Sequence, residues 1–201
     1  MTETLKTKTN NLRRAHILEA AIKVFAEKGF HAATIKDVAT QAGVADGTIY
    51  NYFENKTALL MGVLDPRGDA VQTAKENMPL PSADLQSFLN EMLKQRWMSL
   101  TPQTLDVLRI VFSEALINSE LRSIFAASTI KPAIELGEPL LQSFLAMGAM
   151  RPKDTQLTSR TIIAAVYGLV MLRLLGDEVT TQRWEDFPDH LSKIFHGGLK
   201  L

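Results

Sequence analysis

The sequence predicts an all-α protein, and three of its features favour that class. Apolar residues recur three and four positions apart along most of the chain, which is the period of an α-helix. No stretch shows the sustained alternation of apolar and polar residues that is typical of a strand. The 201 residues include only 11 Gly and 8 Pro, while hydrophobic residues make up 46% of the chain. Helix breakers are therefore few, and the apolar content is sufficient for a sizeable core.

Composition limits the classes of protein that fit. The sequence contains no Cys, which excludes a disulfide framework and a thiolate metal site. The N-terminal residues MTETLKTKTNN are polar and lack the apolar core of a signal peptide. The longest apolar candidate for a membrane span, residues 162–175, is interrupted by Gly168 and Arg173, so we expect no membrane partner. These features are typical of a cytoplasmic bacterial protein.

Charge is balanced overall but unevenly distributed. The formal net charge is zero, which does not by itself indicate a nucleic-acid partner. The first sixteen residues nevertheless carry Lys6, Lys8, Arg13 and Arg14 against a single acidic residue, Glu3. A basic arm on a neutral body is a local electrostatic footprint for nucleic acid, and a solvated tail is the alternative interpretation.

The predicted first helix covers Asn11 to Lys28, where apolar positions follow the helical period. Gly29 is suited to end this helix, because glycine adopts positive φ without a Cβ clash. Phe30 is the apolar residue expected to follow it. The basic beginning of this helix is placed to approach a phosphate.

The stretch from Thr34 to Lys56 has the pattern of two short helices joined by a tight turn. Thr34 and Asp37 form the pattern of a capping box, with Asp in place of Glu, at the start of a helix that extends to Ala42. Gly43 ends that helix, and a second helix is predicted over about Asp46–Phe53. Two short helices joined by a glycine-containing turn make a helix-turn-helix, although an ordinary corner between helices has the same pattern.

A more specific string of residues surrounds this motif, and with it the chain resembles the TetR family of bacterial transcriptional regulators. The resemblance extends from about Asn11 to Leu64, roughly a quarter of the chain. It is carried by the Ile-Leu-x-Ala-Ala run at 17–21 and by Phe25, Gly29-Phe30, Thr34, Ala42-Gly43-Val44, Gly47-Thr48-Ile49-Tyr50, Tyr52-Phe53, Lys56 and Leu59-Leu60. The resemblance implies a DNA-binding domain over residues 1–70, with its motif at about 34–53, and a ligand-binding and dimerisation domain over residues 71–201, with about nine helices in all.

The resemblance also implies which residues meet DNA. Thr34, Thr48, Tyr52 and Lys56 match positions that contact phosphates, which fix register without reading sequence. Residues expected to meet bases or the adjacent backbone are Lys36, Ala45, Asp46, Gly47, Tyr50 and Asn51. An Asn amide can pair with adenine through two hydrogen bonds.

Two of these positions depart from the family pattern. Many relatives carry Ser where this chain has Ala45, and Lys where it has Asp46. The cap hydroxyl is therefore missing, and a cation has become an anion. Asp46 suits the positive end of a helix dipole, or accepts a hydrogen bond from a cytosine amine. In either case it repels phosphate and should lower nonspecific affinity.

The remaining sequence predicts a helical body. A fourth helix is expected from about Asn55 to Leu64, followed by a break at 65–69 and a working domain boundary near residue 70. Pro102 is expected in the first turn of a helix, whereas Pro132 and Pro139 predict kinks that leave room for a cavity. The helix over Thr155–Leu175 is apolar nearly all round and should be buried on most sides.

The resemblance implies that the last two long helices form a homodimer, although packing within one chain explains their apolar residues nearly as well. The last helix is expected from about Trp184 or Phe187 to His196. Two-fold symmetry of a dimer predicts a palindromic or pseudo-palindromic operator.

A pocket for a flat or greasy molecule is hypothesised from residues of the body. Its candidate lining is Arg96, Trp97, Phe112, Phe125, Tyr167 and Met171. Arg96 is interpreted either as an arginine that snorkels outward or as an anchor for an acidic ligand. Trp97 is either a core residue or part of the cavity wall.

No arrangement of residues points to catalysis. His190 and His196 are six apart on different helical faces, and no carboxylate partner completes a metal site. The sequence shows neither a phosphate-binding glycine loop nor a nucleophile elbow. We therefore expect no enzyme, no cofactor and no metal.

The sequence thus predicts a homodimeric repressor that binds a palindromic double-stranded DNA operator and is released by a small apolar or aromatic effector. The alternative is a helical small-molecule-binding protein or co-regulator that has lost DNA reading, and Asp46 is its best support.

Overall fold

A computed structural model of the chain describes residues 5–64, 84–151 and 154–200. These residues form helices and turns with no strand, so the predicted all-α class is confirmed. The expected break at 65–69 and the working boundary near residue 70 lie outside the described residues.

The helices follow one another in a simple order along the chain. They are α1 (Leu5–Ala32), α2 (Ile35–Ala42), α3 (Asp46–Tyr50), α4 (Lys56–Leu64), α5 (Leu85–Met98), α6 (Pro102–Ala115), α7 (Ser119–Phe125), α8 (Lys131–Ala146), α9 (Thr155–Leu174), α10 (Glu178–Gln182) and α11 (Phe187–Leu199). A π-helical turn over Ala126–Ile130 precedes α8, and a 3₁₀ turn over Trp184–Asp186 precedes α11.

Packing divides the chain into two compact units. The first consists of residues 1–70 and 102–126, and the second of residues 71–101 and 127–201. Helices α6 and α7 therefore pack with the N-terminal helices, although the sequence assigns every residue from 71 onward to the body. The functional boundary itself stays a prediction.

The first unit is built around α1. Ile17, Ala21 and Phe25 of α1 are almost fully buried, together with Val38 of α2 and Ile49 of α3. Helix α1 begins six residues earlier than the sequence predicts, at Leu5, and continues past a kink at Gly29, whose φ is 74°. The N-terminal extension escaped prediction because LKTKTNN has no apolar period.

Glycine is required at one position where α4 approaches α1. A Cβ on Gly62 would lie 2.5 Å from Cε1 of Phe53 and 3.2 Å from Cδ2 of Leu18. Both neighbouring side chains are buried. The absence of a side chain at Gly62 therefore allows α4 to pack directly on the residues that support the helix-turn-helix.

The second unit has its own hydrophobic core. Its buried members come from α5, α8, α9, α11 and the residue between α8 and α9, and they are Leu85, Phe88, Leu89, Leu141, Phe144, Met150, Ile162 and Leu199. Helix α5 begins after Asp84, whose carboxylate accepts hydrogen bonds from the amides of Gln86 and Ser87. Helices α5 and α11 are joined by Asn90, whose Nδ2 donates to Asp189 Oδ1 (3.1 Å) and to Ser192 Oγ (3.2 Å).

Helix α9 differs from the sequence expectation, because it is not buried on most sides. Only Ser159, Ile162, Val166 and Val170 of this helix are buried. It is also a helix of 20 residues that is long and apolar enough to cross a membrane, by length and composition alone. It is longer than the candidate at 162–175 and includes both Gly168 and Arg173. A core helix of a soluble protein passes the same test.

Candidate nucleic-acid interface

The start of α2 is held by a capping box, as the sequence predicts. Thr34 Oγ1 accepts from the Asp37 amide (3.1 Å), and the Thr34 amide donates to Asp37 Oδ2 (2.9 Å). Lys28 Nζ lies 2.6 Å from Asp37 Oδ1. The hydrogen bond from Lys28, together with those from the Thr34 hydroxyl and amide, lowers the pKa of Asp37 to about 2. The carboxylate is therefore ionised throughout the neutral range and fixes the helix start.

The Thr34 hydroxyl also donates a hydrogen bond within the protein. Its Oγ1 lies 2.8 Å from Asp37 Oδ2, so the hydroxyl hydrogen is given to that carboxylate. A phosphate oxygen can only accept hydrogen bonds from Thr34 and would have to compete with Asp37 for this hydrogen. The geometry favours a capping role for Thr34, whereas the resemblance implies a phosphate contact.

The turn between α2 and α3 is closed by backbone hydrogen bonds. Gly43 has φ 64° in the left-handed region, as predicted, and its amide is directed at the carbonyls of Ala39 and Thr40. The amide of Val44 then donates to the Ala39 carbonyl (3.0 Å). His16 Nε2 of α1 lies 3.0 Å from the Ala42 carbonyl and ties the end of α2 to α1.

Helix α3 is shorter than predicted, ending at Tyr50 rather than near Phe53. Its N-cap, Ala45, makes no side-chain capping bond, as expected from the missing hydroxyl. The amides of Tyr52 and Phe53 both donate to the Ile49 carbonyl, at 3.0 Å each, so Tyr52 lies in the turn that follows the helix.

None of the predicted base-reading and phosphate-contacting residues is buried in the core of the first unit. Tyr50 is 56% exposed, whereas its neighbour Ile49 is fully buried. The other exposed members are Thr34, Lys36, Ala45, Asp46, Gly47 and Asn51, while Thr48, Tyr52 and Lys56 are half-buried. The exposed side chains among them are accessible to a ligand, whereas the ammonium of Lys56 has acceptors within the protein.

A cleft beside α3 was not predicted from the sequence. It has a volume of about 260 Å³ and is lined by Arg13, His16, Ile17, Val44, Ala45 and Thr48. Arg13 supplies a cation, and Thr48 supplies a hydroxyl donor, which together suit a phosphate group. Sequence reasoning identified Arg13 only as part of the basic arm, because the pairing with Thr48 depends on tertiary structure.

Lys56 is engaged within the protein. Its Nζ donates to the carbonyls of Phe30 (2.6 Å), His31 (3.2 Å) and Ala33 (3.0 Å). The same ammonium lies 4.5 Å from the centroid of the Phe30 ring. An ammonium has three N–H donors, so all three have acceptors here.

The predicted effector-binding residues fall into two groups. Phe112 and Phe125 meet edge to face in the first unit, with ring centroids 5.9 Å apart. Arg96, Trp97, Tyr167 and Met171 belong to the second unit.

Within the second unit, Trp97 is a core residue, because it is buried and its Nε1 donates to the Trp184 carbonyl (2.8 Å). Arg96 is exposed, and its Nη2 lies 3.4 Å from the Tyr167 hydroxyl. Burial raises the pKa of Tyr167, although Arg96 acts in the opposite direction.

Comparison with known proteins agrees with this geometry. Residues 17–63 match the model of the family described as bacterial regulatory proteins, tetR family. The N-terminal part of the chain is therefore similar to TetR-family proteins.

The matched segment contains the capping box, the turn at Gly43, α3 and Lys56. A fatty acid metabolism regulator protein of Bacillus subtilis is 41% identical over 63 residues, which cover 31% of this chain and 32% of that relative. The chain thus spans about a third of the length of this relative. The HTH-type transcriptional regulator YdeS of the same organism is 27% identical over 170 residues, covering 81% of this chain and 79% of YdeS.

Solved structures extend the likeness to the whole TetR fold. The fatty acid degradation regulator FadR from Bacillus halodurans is 25% identical, with a TM-score of 0.71. The match covers 91% of this chain and 95% of FadR. The individual DNA contacts and the effector residues stay predictions.

Proposed function

We propose that this protein is a homodimeric transcriptional repressor that binds a two-fold symmetric DNA operator through α2 and α3. The observation that carries the proposal is the exposed polar surface on a rigid helix-turn-helix, with Tyr50 and Asn51 outward and Ile49 inward. This is the arrangement by which a recognition helix presents side chains to the major groove. Names of the relatives, which include transcriptional regulators and repressors, support it.

In this proposal the DNA contacts divide by chemistry. Arg13, Thr48 and Tyr52 donate to phosphates, and Lys36 adds a cation at the exposed edge of α2. Asn51 and Tyr50 meet base edges, with Ala45 and Gly47 close to the backbone. Asp46 accepts from a cytosine amine, which would make this position a source of sequence preference.

The exposed face of α9 supports a homodimer. Leu157, Thr161, Ala164, Gly168, Leu172 and Leu175 follow one another at helical spacing, and all of them are exposed. Ile194 of α11 is also exposed, at 55%. A second copy covering both helices would remove this apolar surface from water and create the two-fold axis that a palindromic operator requires.

The dimer can be tested at Gly168, because a Cβ there meets nothing within 4 Å. Gly168→Glu should therefore leave the single chain folded and disrupt the pairing of two copies. Sedimentation equilibrium should show a dimer for the unmodified protein and a monomer for this variant. Gln142→Glu on the exposed side of α8 is the control and should remain dimeric. A variant that dimerises as tightly as the parent would contradict the use of this face.

Effector release is proposed for the second unit. A ligand that binds more tightly to the state unable to hold the operator lowers DNA affinity, whereas one that binds both states equally changes nothing. The fatty acid regulators among the similar proteins support an apolar effector. A DNA-binding regulator of this kind acts in the bacterial cytoplasm.

The experiment for DNA binding compares two tyrosines. Tyr52→Phe removes one proposed phosphate donor without changing charge or shape, and Tyr167→Phe makes the same change in the second unit. A hydrogen bond to a charged group contributes about 1.5–3 kcal/mol, so Tyr52→Phe should weaken binding to an operator duplex by roughly tenfold or more. Tyr167→Phe should bind as the parent does. Equal affinity for all three proteins would remove Tyr52 from the interface.

The alternative function is a helical small-molecule-binding protein that no longer reads DNA. Its specific support is the exposed carboxylate of Asp46 at the start of α3. Failure of the unmodified protein to bind any duplex, together with retained ligand binding, would favour this alternative.

A further inference from the structure

We propose that Lys56 positions the helix-turn-helix by clamping the end of α1, and that it does not contact DNA phosphate. This inference rests on the proposed function, because it concerns the same DNA-binding surface. It replaces the phosphate contact that the resemblance implies for Lys56 with a role inside the protein.

The acceptors of Lys56 determine this role. Phe30, His31 and Ala33 lie at the end of α1 and in the link to α2. The last carbonyls of a helical segment have no partner within it, and these three residues follow the kink at Gly29, whose φ is 74°. A cation in their midst satisfies three carbonyl oxygens at once, and the bonds to Phe30 and Ala33 are partly buried.

The location of Lys56 on α4 also requires an explanation. It is the first residue of α4, where the amide of Ala58 is capped by Asn55 Oδ1 (2.7 Å). A cation is disfavoured at the positive start of a helix. The hydrogen bonds to the α1 carbonyls and the contact with the Phe30 ring supply the compensation.

The clamp acts on DNA recognition through the residue next in sequence. Ala33, the last of the three acceptors, immediately precedes Thr34, the N-cap of α2. Lys56 therefore fixes the starting point of α2 relative to α4. To donate to a phosphate, the ammonium would have to withdraw at least one N–H from these carbonyls.

Salt dependence of DNA binding distinguishes a clamp from a phosphate contact. Each phosphate neutralised by a Lys or Arg adds about 0.9 to the magnitude of the slope of log K against log salt concentration. Lys56→Met should weaken binding about tenfold at temperatures where the variant is fully folded, with the slope unchanged. Lys36→Met, which removes an exposed lysine of the same surface, should reduce the slope by about 0.9. Lys193→Met in the second unit should change neither quantity.

Three results of this titration, combined with thermal unfolding of the variants, would overturn the clamp. A slope reduced by about 0.9 in Lys56→Met would assign Lys56 to a phosphate and leave the proposed function intact. Loss of thermal stability with full DNA affinity would show a structural role without positioning. Unchanged stability together with unchanged affinity would exclude both the positioning role and the phosphate contact of Lys56.

A second measurement observes the unmodified protein and needs a folded variant only to assign one resonance. The lysine ammonium groups are observed by ¹⁵N NMR, with the Lys56 resonance assigned by its absence from Lys56→Met or Lys56→Arg. A clamp predicts a slowly exchanging Lys56 resonance in the free protein that does not shift when the operator duplex is added. Rapid exchange in the free protein, or a large shift with DNA, would overturn the inference. If no duplex binds, the proposed function fails, while the resonance of the free protein still tests the clamp.

Discussion

Substitution of Gly62 by Ala should destabilise the first unit, although alanine is the better helix former. The new Cβ would lie 2.5 Å from Phe53 Cε1, closer than real Cβ contacts. The Phe53 ring is 3% exposed and cannot swing into solvent. Overpacking of a buried site costs about 1–3 kcal/mol, while replacing Gly by Ala inside a helix gains about 1 kcal/mol. The net expectation is a loss of about 1 kcal/mol.

Gly137→Ala is the matched control for this substitution. Gly137 lies inside α8, and its nearest neighbour would be Ser159 Cβ at 3.7 Å, an ordinary contact. That variant should gain up to about 1 kcal/mol in free energy of unfolding. Urea unfolding followed by circular dichroism measures both changes. A Gly62→Ala protein that is as stable as the parent would refute the close packing of α4 on Phe53.

Four further predictions concern the first unit. Thr34→Ala removes the N-cap of α2 and should lower the free energy of unfolding by about 1 kcal/mol, measured by urea unfolding against Thr181→Ala. The ionised Asp37 carboxylate should stabilise the protein fully above the ordinary carboxyl pKa of 3.8, and progressively less as pH falls towards its own pKa of about 2. Asp37→Asn should therefore flatten the acid dependence of the urea midpoint. An unchanged acid dependence in this variant would contradict the stabilising role of the carboxylate. Arg13→Gln should reduce the magnitude of the slope of log K against log salt concentration by about 0.9. An unchanged slope would show that the cleft lined by Arg13 does not bind DNA phosphate. Asp46→Lys should raise nonspecific affinity and steepen the same slope by a similar amount, which titration with an unrelated duplex would detect.

Sequence patterns predicted the helix-turn-helix well, because its caps and turn depend on residues that are neighbours in sequence. The capping box of Thr34 and Asp37 needs only a spacing of three residues, and the turn at Gly43 needs only a residue that tolerates positive φ. Pro102 begins α6 for the same local reason, since its missing amide is not needed in the first turn.

Features that depend on distant residues could not be predicted from the sequence. The carbonyls held by Lys56 lie 23 to 26 positions earlier in the chain, and no local pattern indicates that they converge. The cleft between Arg13 and Thr48 also depends on tertiary packing. Helix α9 was expected to be buried because apolar residues occupy all its faces, yet the pattern does not tell whether the same chain or a second copy covers them.

The most direct test of DNA reading is selection of bound duplexes from a random library with the purified protein at moderate salt. A dimeric DNA-binding protein should recover one motif with two inverted half-sites, one for each helix-turn-helix of the dimer. Their centre-to-centre spacing gives the separation of the two recognition helices. Recovery of no motif above background, before and after unfolding and refolding to remove any bound effector, would contradict a DNA-reading dimer.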